Sequence, residues 1–207
     1  MQIHEKFSLK NHNSFGLDII TDKFATFSTV QDLDTFFPCA VPWFILGGGS
    51  NVLFTQDFEG IVLHNQIKGI EKIKETDEHI FIKVGAGENW HSFVLHSIEN
   101  DWAGIENLSL IPGTVGASPI QNIGAYGVEV KDVIESVNAF HIEKKEMHTF
   151  SKEECNFGYR NSIFKNELKN QYIITEVIFR LDKIPTFHTN YGDIQKILTE
   201  KNITNLS

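Results

Sequence analysis

Two glycine-rich stretches carry the residue types best suited to hold an anionic ligand through the main chain. The longer runs from Leu110 to Val130, and the shorter, Gly47 to Asn51, directly follows the apolar run Trp43 to Leu46. Glycine allows positive φ and lets the backbone approach another group closely. A glycine-rich turn after a buried strand lets several amides converge on a phosphate. Together the stretches predict a phosphate-binding site, although either alone could be a connection without a ligand.

The sequence lacks the two best-known nucleotide-binding signatures. It contains no G-x-x-x-x-G-K-[ST], and its nearest match to G-x-G-x-x-G, Gly85 to Trp90, has no third glycine. Nucleotide-binding folds of the P-loop and Rossmann types therefore lose support.

Polar side chains beside the glycines, and one arginine, are the candidates for specific contacts. Asn51, Gln121 and Asn122 could orient a ligand, but these residue types also satisfy the backbone of their own turns. Arg160 offers a rigid, permanently charged fork that could stabilise a developing carboxylate charge. On residue type alone, a structural arginine is the commoner interpretation.

The composition describes an acidic globular chain of 207 residues with net charge -9 and 41% hydrophobic residues. This balance argues against nucleic acid or an anionic membrane as a partner, so a bound anion must rely on loop amides and a few local cations. The two cysteines, Cys39 and Cys155, have neither metal-ligand spacing nor a disulfide framework. No metal is predicted, and with no signal-peptide pattern the expected location is the cytoplasm.

Short strands and a few helices must position these residues. Apolar and β-branched runs predict strands at 25–27, 43–46, 60–63, 70–74, 80–84, 133–142, 147–150 and 172–181. A capping box from Ser28 to Gln31 predicts a helix that ends before Pro38, and the spacing predicts further helices over 90–98 and 194–198.

The chain is expected to divide into two α+β units. A change of composition at 66–69 predicts a boundary between subdomains 1–68 and 69–207. Met1 to Asn13 is polar and is predicted to be an irregular arm.

Five motifs occur in a recognisable order: Gly47–Asn51, Gly85–Trp90, Ile111–Gly116, Pro119–Gly127 and Phe157–Lys165. From about Asn13 to its end, the chain closely resembles the UDP-N-acetylenolpyruvoylglucosamine reductase (MurB) family, type I. The resemblance implies an α+β, two-subdomain FAD-binding fold of the vanillyl-alcohol-oxidase/PCMH type. It also implies reduction by NADPH, through FAD, of a UDP-sugar enolpyruvyl ether to UDP-N-acetylmuramate. That reaction serves peptidoglycan synthesis, and so cell wall biogenesis, cell shape and cell division.

The resemblance also assigns residues. By motif position the cofactor contacts are Gly47, Gly48, Gly49, Ser50, Asn51, Ile111, Pro112, Gly113, Ser118, Gln121, Asn122, Gly124 and Tyr126. The first glycine loop has no histidine, so the flavin is expected to be bound non-covalently. Arg160 matches the family's catalytic, substrate-binding arginine. Tyr191 matches the tyrosine that closes over the substrate, with an ordinary surface tyrosine as the alternative.

Two further catalytic groups of the family have no counterpart here. One is a proton-donating serine in a third, substrate-binding domain, and the other is a glutamate near the family's C-terminus; Ser207 matches neither. Two hypotheses follow: the chain is the N-terminal portion of a reductase, or it is a flavin-binding module that is inactive alone. A flavin oxidase of the same fold is a third. The sequence leaves oligomeric state and the NADPH contacts open.

Overall fold

The computed structural model describes residues 1–204 and 206; Ser207 lies outside the described residues. The strands are β1 (Ile3–Ser8), β2 (Ile20–Phe27), β3 (Trp43–Leu46), β4 (Phe58–Asn65), β5 (Ile70–Glu75), β6 (His79–Gly85), β7 (Gly124–Ala125), β8 (Val128–Glu129), β9 (Ile134–His141), β10 (Glu146–Ser151) and β11 (Tyr172–Asp182). The helices are α1 (Val30–Phe36), α2 (Trp90–Glu99) and α3 (Ile194–Glu200). Short 3-10 turns occupy several of the connections.

The first sheet has the strand order β1-β2-β4-β3. β2 and β3 both run parallel to β4, and α1 lies in the connection between β2 and β3. The three strands predicted in this region are confirmed, although β2 and β4 are longer than predicted. Phe27 and Leu63 are fully buried and contribute to a core under this sheet.

The prediction of an irregular arm at the N-terminus is wrong. β1 pairs antiparallel with β2, from Ile3 opposite Ala25 to Ser8 opposite Ile20. Its side chains are nearly all exposed, so the strand buries little apolar surface and is held by the backbone ladder at a sheet edge. Such a strand has no hydrophobic alternation for a sequence pattern to detect.

The second sheet is antiparallel, with the order β10-β9-β11-β6-β5. The strands predicted at 70–74, 80–84, 133–142 and 147–150 are confirmed, and they form two hairpins, β5 with β6 and β9 with β10. The helix predicted over 90–98 is confirmed as α2, and its Trp90, Phe93 and Val94 side chains are fully buried. The Trp90 indole N–H donates to the carbonyl of Leu108 at 2.8 Å, which satisfies its polar atom inside the core.

The helix α1 begins one residue later than predicted. Its N-cap is Thr29, whose hydroxyl accepts a hydrogen bond from the backbone N–H of Asp32, and the Asp32 carboxylate accepts from the N–H of Thr29. The capping box is therefore Thr29 with Asp32, not Ser28 with Gln31. An ionised carboxylate accepts stronger hydrogen bonds than a neutral amide does, which favours this register.

The two sheets contact each other closely. The first sheet ends at Asn65 and the second begins at Ile70, and the Asn65 amide donates to the carbonyl of Ile174 in β11 at 3.1 Å. Phe140 and Ile173 of the second sheet pack in the same core cluster as Phe27. Division of the chain at 68/69 remains a proposal, with a shared core joining the halves.

Candidate functional site

The two glycine-rich turns meet at one place in the fold. A Cβ atom added to Gly48 would lie 3.0 Å from the Cα of Gly113, and one added to Gly47 would lie 2.7 Å from the Thr114 hydroxyl. The Asn51 amide donates to the side-chain oxygen of Gln121 at 3.1 Å. Turns more than sixty residues apart in sequence are thus in direct contact.

The N-terminal segment packs against the first glycine-rich turn. Gly49 has φ +64, and a Cβ at this position would overlap the carbonyl oxygen of His12. The backbone N–H of Ser14 donates to the Gly49 carbonyl at 3.1 Å. Glycine is required at position 49 by both its conformation and this close approach.

The two turns present backbone donors without protein acceptors. Within residues 1–204 and 206, the hydrogen-bond network contains no protein acceptor for the backbone N–H groups of Gly47 through Asn51, or for those of Gly113 and Thr114. Gly49 is buried, and a buried N–H without a partner is costly. Consecutive unpaired amides at the end of a strand form a concavity that favours an anion.

The histidines under the first turn add little positive charge at neutral pH. The pKa of His64 is lowered to about 4, first by burial and then by the neighbouring His12 and Lys68. Burial also lowers the pKa of His12. Anion binding at this turn must therefore rely mainly on the amides.

A cleft of about 440 Å³ opens beside the contact between the turns. Among the predicted cofactor contacts, those on its wall are Gly47, Gly48, Gly49, Ser50, Asn51, Pro112, Gly113, Ser118 and Gln121. The cleft also has apolar walls from Trp43, Phe44 and Tyr172, together with the cationic residues Lys165 and Lys169. These lysines are the local cations that an acidic chain needs to hold an anion.

Four predicted cofactor contacts do not line this cleft. Ile111 packs against the main core cluster, and the Gly124 carbonyl accepts a hydrogen bond from Arg160. Asn122 is fully buried, and Tyr126 is about half exposed at 52%. The structure therefore brings nine of the thirteen together on the cleft wall and places the other four beside it.

Arg160 lies at an exposed turn that faces the second glycine stretch. Its guanidinium Nη2 donates to the carbonyl of Gly124 at 2.7 Å, and its backbone adopts φ +52. Lys165 donates from Nζ to the Arg160 carbonyl at 2.9 Å. The guanidinium retains further N–H donors for a ligand, because one of its five is engaged here.

Tyr191 packs against the same stretch from the C-terminal side. Its ring meets that of Tyr126 edge-on, with centroids 6.2 Å apart. The Asn107 amide donates to the carbonyls of both Tyr126, at 3.3 Å, and His188, at 2.9 Å. Tyr191 is thereby held near the Gly124–Gly127 turn while 57% of its surface stays exposed.

Sequence reasoning did not single out several cleft residues. Trp43, Asn65, Lys169 and Tyr172 all line the cleft. The sequence predicts Trp43 and Tyr172 only as strand residues. Their place on the cleft wall depends on how the two sheets pack together. The one usable signal was a pair of lysines in an acidic chain: Lys165 ends the motif that contains Arg160, and Lys169 follows four residues later.

The residues present fit a dinucleotide better than a metal. In the described part of the chain, no group of three or more His, Cys, Asp or Glu residues could hold a metal ion. Both cysteines are free, and burial raises the pKa of Cys155 to about 12. Unpaired amides suit the pyrophosphate of FAD, and the apolar walls suit its rings.

An α+β fold of two sheets, with a cleft lined by glycine-rich turns whose amides have no protein acceptor, is the arrangement expected of a dinucleotide-binding protein. The chain belongs to the family of FAD binding domains, whose pattern matches residues 24–149. The predicted cofactor FAD and the predicted fold class are thereby confirmed.

The resemblance to UDP-N-acetylenolpyruvoylglucosamine reductases is also confirmed. The chain is 50% identical over 207 residues to the reductase of Flavobacterium johnsoniae, covering 99% of this chain and 61% of the relative. It is 50% identical over 211 residues to that of Amoebophilus asiaticus, covering 100% of this chain and 62% of the relative. The chain thus spans about three fifths of the length of these curated relatives.

Solved structures support the fold. The crystal structure of UDP-N-acetylenolpyruvylglucosamine reductase from Thermus caldophilus matches with a TM-score of 0.72 at 24% identity, covering 98% of this chain and 67% of that one. A solvent-stable cholesterol oxidase matches with a TM-score of 0.62 at 12% identity, covering 88% of this chain and 38% of that one. No helix in the described residues is long and apolar enough to cross a membrane.

Proposed function

We propose that the complete protein is an NADPH-dependent flavoenzyme that reduces UDP-N-acetylglucosamine enolpyruvate to UDP-N-acetylmuramate for peptidoglycan synthesis. The observation that carries the proposal is the direct contact between the turns at Gly47–Asn51 and Gly113–Thr114, with unpaired amides in both. The names of the relatives that match nearly the whole chain supply the substrate. The proposal includes a cytoplasmic location and no nucleic acid or membrane partner, in keeping with the net charge of -9.

In this proposal the amides at Gly47–Asn51 and Gly113–Thr114 bind the FAD pyrophosphate non-covalently. Lys165 and Lys169 offset the negative potential of the chain at the cleft. FAD, when bound, supplies the hydride carrier between NADPH and the enolpyruvyl group of the substrate.

Arg160 is proposed to bind the substrate's carboxylate and to stabilise the charge that builds on it during reduction. Its guanidinium is oriented by the Gly124 carbonyl and stays exposed, so it can present donors to a carboxylate without first leaving a buried ion pair. Tyr191, beside Tyr126, is proposed to close over the substrate.

For the 207 residues alone, the second candidate is a flavin-binding module without turnover. Three fifths of a relative's length is matched here, and the resemblance assigns a serine and a glutamate of the reaction to the remainder. The rate effects of removing groups that act together in one transition state are not additive. Loss of the proton donor alone should therefore nearly abolish turnover.

A visible absorption spectrum with intact mass, followed by an NADPH oxidation assay, tests both candidates. The complete protein should be yellow and oxidise NADPH only when the UDP-enolpyruvyl sugar is present. The 207-residue chain should bind FAD without substrate-dependent oxidation. A folded protein that stays colourless with added FAD would refute both candidates, whereas a yellow protein that consumes oxygen and ignores the UDP-sugar would favour an oxidase.

A further inference from the structure

Arg160 lies in a tight turn whose two ends are bonded to each other. The N–H of Gly158 donates to the Asn161 carbonyl at 3.0 Å, and the N–H of Asn161 donates to the Gly158 carbonyl at 3.1 Å. Tyr159 and Arg160 form the two-residue tip, with Arg160 at φ +52. A non-glycine residue in the left-handed region persists where its surroundings hold it there.

Asn122 ties one leg of this turn to the second glycine stretch. Its side-chain amide donates to the Gly158 carbonyl at 2.9 Å, and its side-chain oxygen accepts from the N–H of Lys131 at 3.1 Å. The residue is fully buried. Both polar atoms of Asn122 are thus bonded to backbone groups, which gives the side chain a structural task at this turn.

Ser162 ties the other leg to the same stretch. Its hydroxyl donates to the carbonyl of Ile120 at 2.6 Å, and its side chain is buried, with 1% of the residue exposed. Ser162 therefore connects the chain just after the Arg160 turn to a residue of the cleft wall, because Ile120 lines the cleft.

The bonds made by Asn122 and Ser162 flank the arginine on both sides. Together with the guanidinium bond to the Gly124 carbonyl at 2.7 Å, they join the Arg160 turn to the segment 120–124 at three points. This segment also contains Gln121 and follows Ser118, both on the cleft wall. The position of the guanidinium relative to the cleft is therefore set by Asn122 and Ser162, not only by the arginine's own contact.

We propose that Asn122 and Ser162 are positioning residues that fix the Arg160 turn against the wall of the cofactor cleft. The inference rests on the proposed role of Arg160 in reduction, and it gives Asn122 a task other than contact with the flavin. Displacement of a catalytic group by about 1 Å can lower a rate about 100-fold, which is the scale of effect that loss of a positioning bond can have.

The kinetic test uses the complete protein and the variants Ser162→Ala and Arg160→Ala, singly and combined. Ser162→Ala should lower kcat by about 10- to 100-fold with bound flavin and KM little changed. In the Arg160→Ala background, the same substitution should cause no further loss, because a positioning residue acts through the arginine. Asn122→Ala should show the same pattern and provides a second route if one variant loses its flavin.

Ser97→Ala is the matched control. Ser97 is also fully buried and its hydroxyl donates to a backbone carbonyl, that of Phe93, at 2.9 Å, but in α2. Ser97→Ala should leave kcat unchanged. A loss from Ser162→Ala that adds fully to that of Arg160→Ala would show a general structural effect and overturn the inference.

A second readout does not depend on turnover. Trypsin cleaves after arginine, and a turn held at both legs should resist it until it opens locally. Ser162→Ala and Asn122→Ala should each speed cleavage after Arg160 by about threefold to tenfold, as followed by mass spectrometry, while Ser97→Ala should not. Unchanged cleavage in both variants would overturn the inference. If the wild type showed no turnover but the variants were cleaved faster, the proposed function would be refuted. The positioning of the turn by Asn122 and Ser162 would still be supported.

Discussion

Four residues in or facing the second glycine-rich stretch have an uncommon backbone conformation. Leu110, Asn122, Tyr126 and Arg160 all adopt positive φ although none is glycine. Conformations of this kind cost about 1–3 kcal/mol each and cluster at functional sites. The sequence motif could identify Arg160, but it could not show that the Lys165 ammonium holds the arginine's carbonyl, since that bond depends on the turn between them.

Replacement of the arginine should separate chemistry from cofactor binding. In the complete protein, Arg160→Ala should lower kcat about 100- to 1,000-fold, since one fixed donor to a developing charge is worth that much. The flavin spectrum should stay normal, because the guanidinium bonds to the Gly124 carbonyl, which lies beside the cleft and not on its wall. Stopped-flow kinetics and absorbance give both quantities. Arg180→Ala, at an exposed position on β11, is the control. Loss of flavin from Arg160→Ala would show that the arginine has a structural role.

His64 should make the protein less stable in mild acid. Its folded pKa of about 4 lies below the ordinary value of 6.5, so the unfolded chain binds the proton more readily between these values. This contribution to the free energy of unfolding is therefore fully present above about pH 6.5 and is lost as the pH falls toward 4. Urea unfolding at pH 7 and pH 4.5 should show a smaller difference for His64→Gln than for the wild type. His4→Gln, at an exposed position, is the control. If His64→Gln and the wild type lost the same free energy of unfolding between the two pH values, the acid sensitivity would belong to other groups.

The elements show which parts of the fold are visible in sequence. Strands that bury one or both faces, such as β3, β6 and β11, produced apolar patterns and were predicted correctly. β1 buries almost nothing, so its existence depends on β2 and no local pattern could reveal it. The contact between the two glycine turns is likewise non-local: the sequence supplies both turns, whereas their adjacency follows from the packing of the two sheets.

A methyl group between the turns should weaken FAD binding. Gly48 does not require positive φ, so Gly48→Ala tests spacing alone, with its Cβ 3.0 Å from the Gly113 backbone. We expect the dissociation constant of FAD to rise about tenfold, about 1.4 kcal/mol, as measured by fluorescence titration of the apoprotein. In Gly158→Ala the added Cβ meets only the Asn161 side chain, at 3.6 Å, so FAD affinity should hold. Equal affinities for both variants would argue against amide contact at this turn.

At the scale of the whole molecule, the cleft depends on the two sheets keeping one relative position. Phe140 of β9, which is 1% exposed, packs with Phe27 and Leu63 of the first sheet. The Asn65 bond to Ile174 and the Lys68 bond to the Gly87 carbonyl cross the same junction. The change of composition at 66–69 hinted at a junction, yet a shared core of this kind could not be predicted from it.

Loss of the shared core should destabilise both sheets together. Phe140→Ala removes a large buried side chain and should lower the free energy of unfolding by about 3–5 kcal/mol. Calorimetry and tryptophan fluorescence of the complete protein should report a single transition shifted to lower temperature. Leu95→Ala, at a position 45% exposed on α2, should change little. Two separated transitions in the Phe140 variant would show that the sheets unfold independently.

The close approach of Gly49 to the His12 carbonyl gives the segment around His12 a part in the flavin site. His12, Asn13 and Ser14 pack against the cofactor turn, although the described wall of the cleft begins only at Trp43. Deletion of the chain through Ser14 should therefore weaken FAD binding, because the turn at Gly49 would lose the backbone that packs against it.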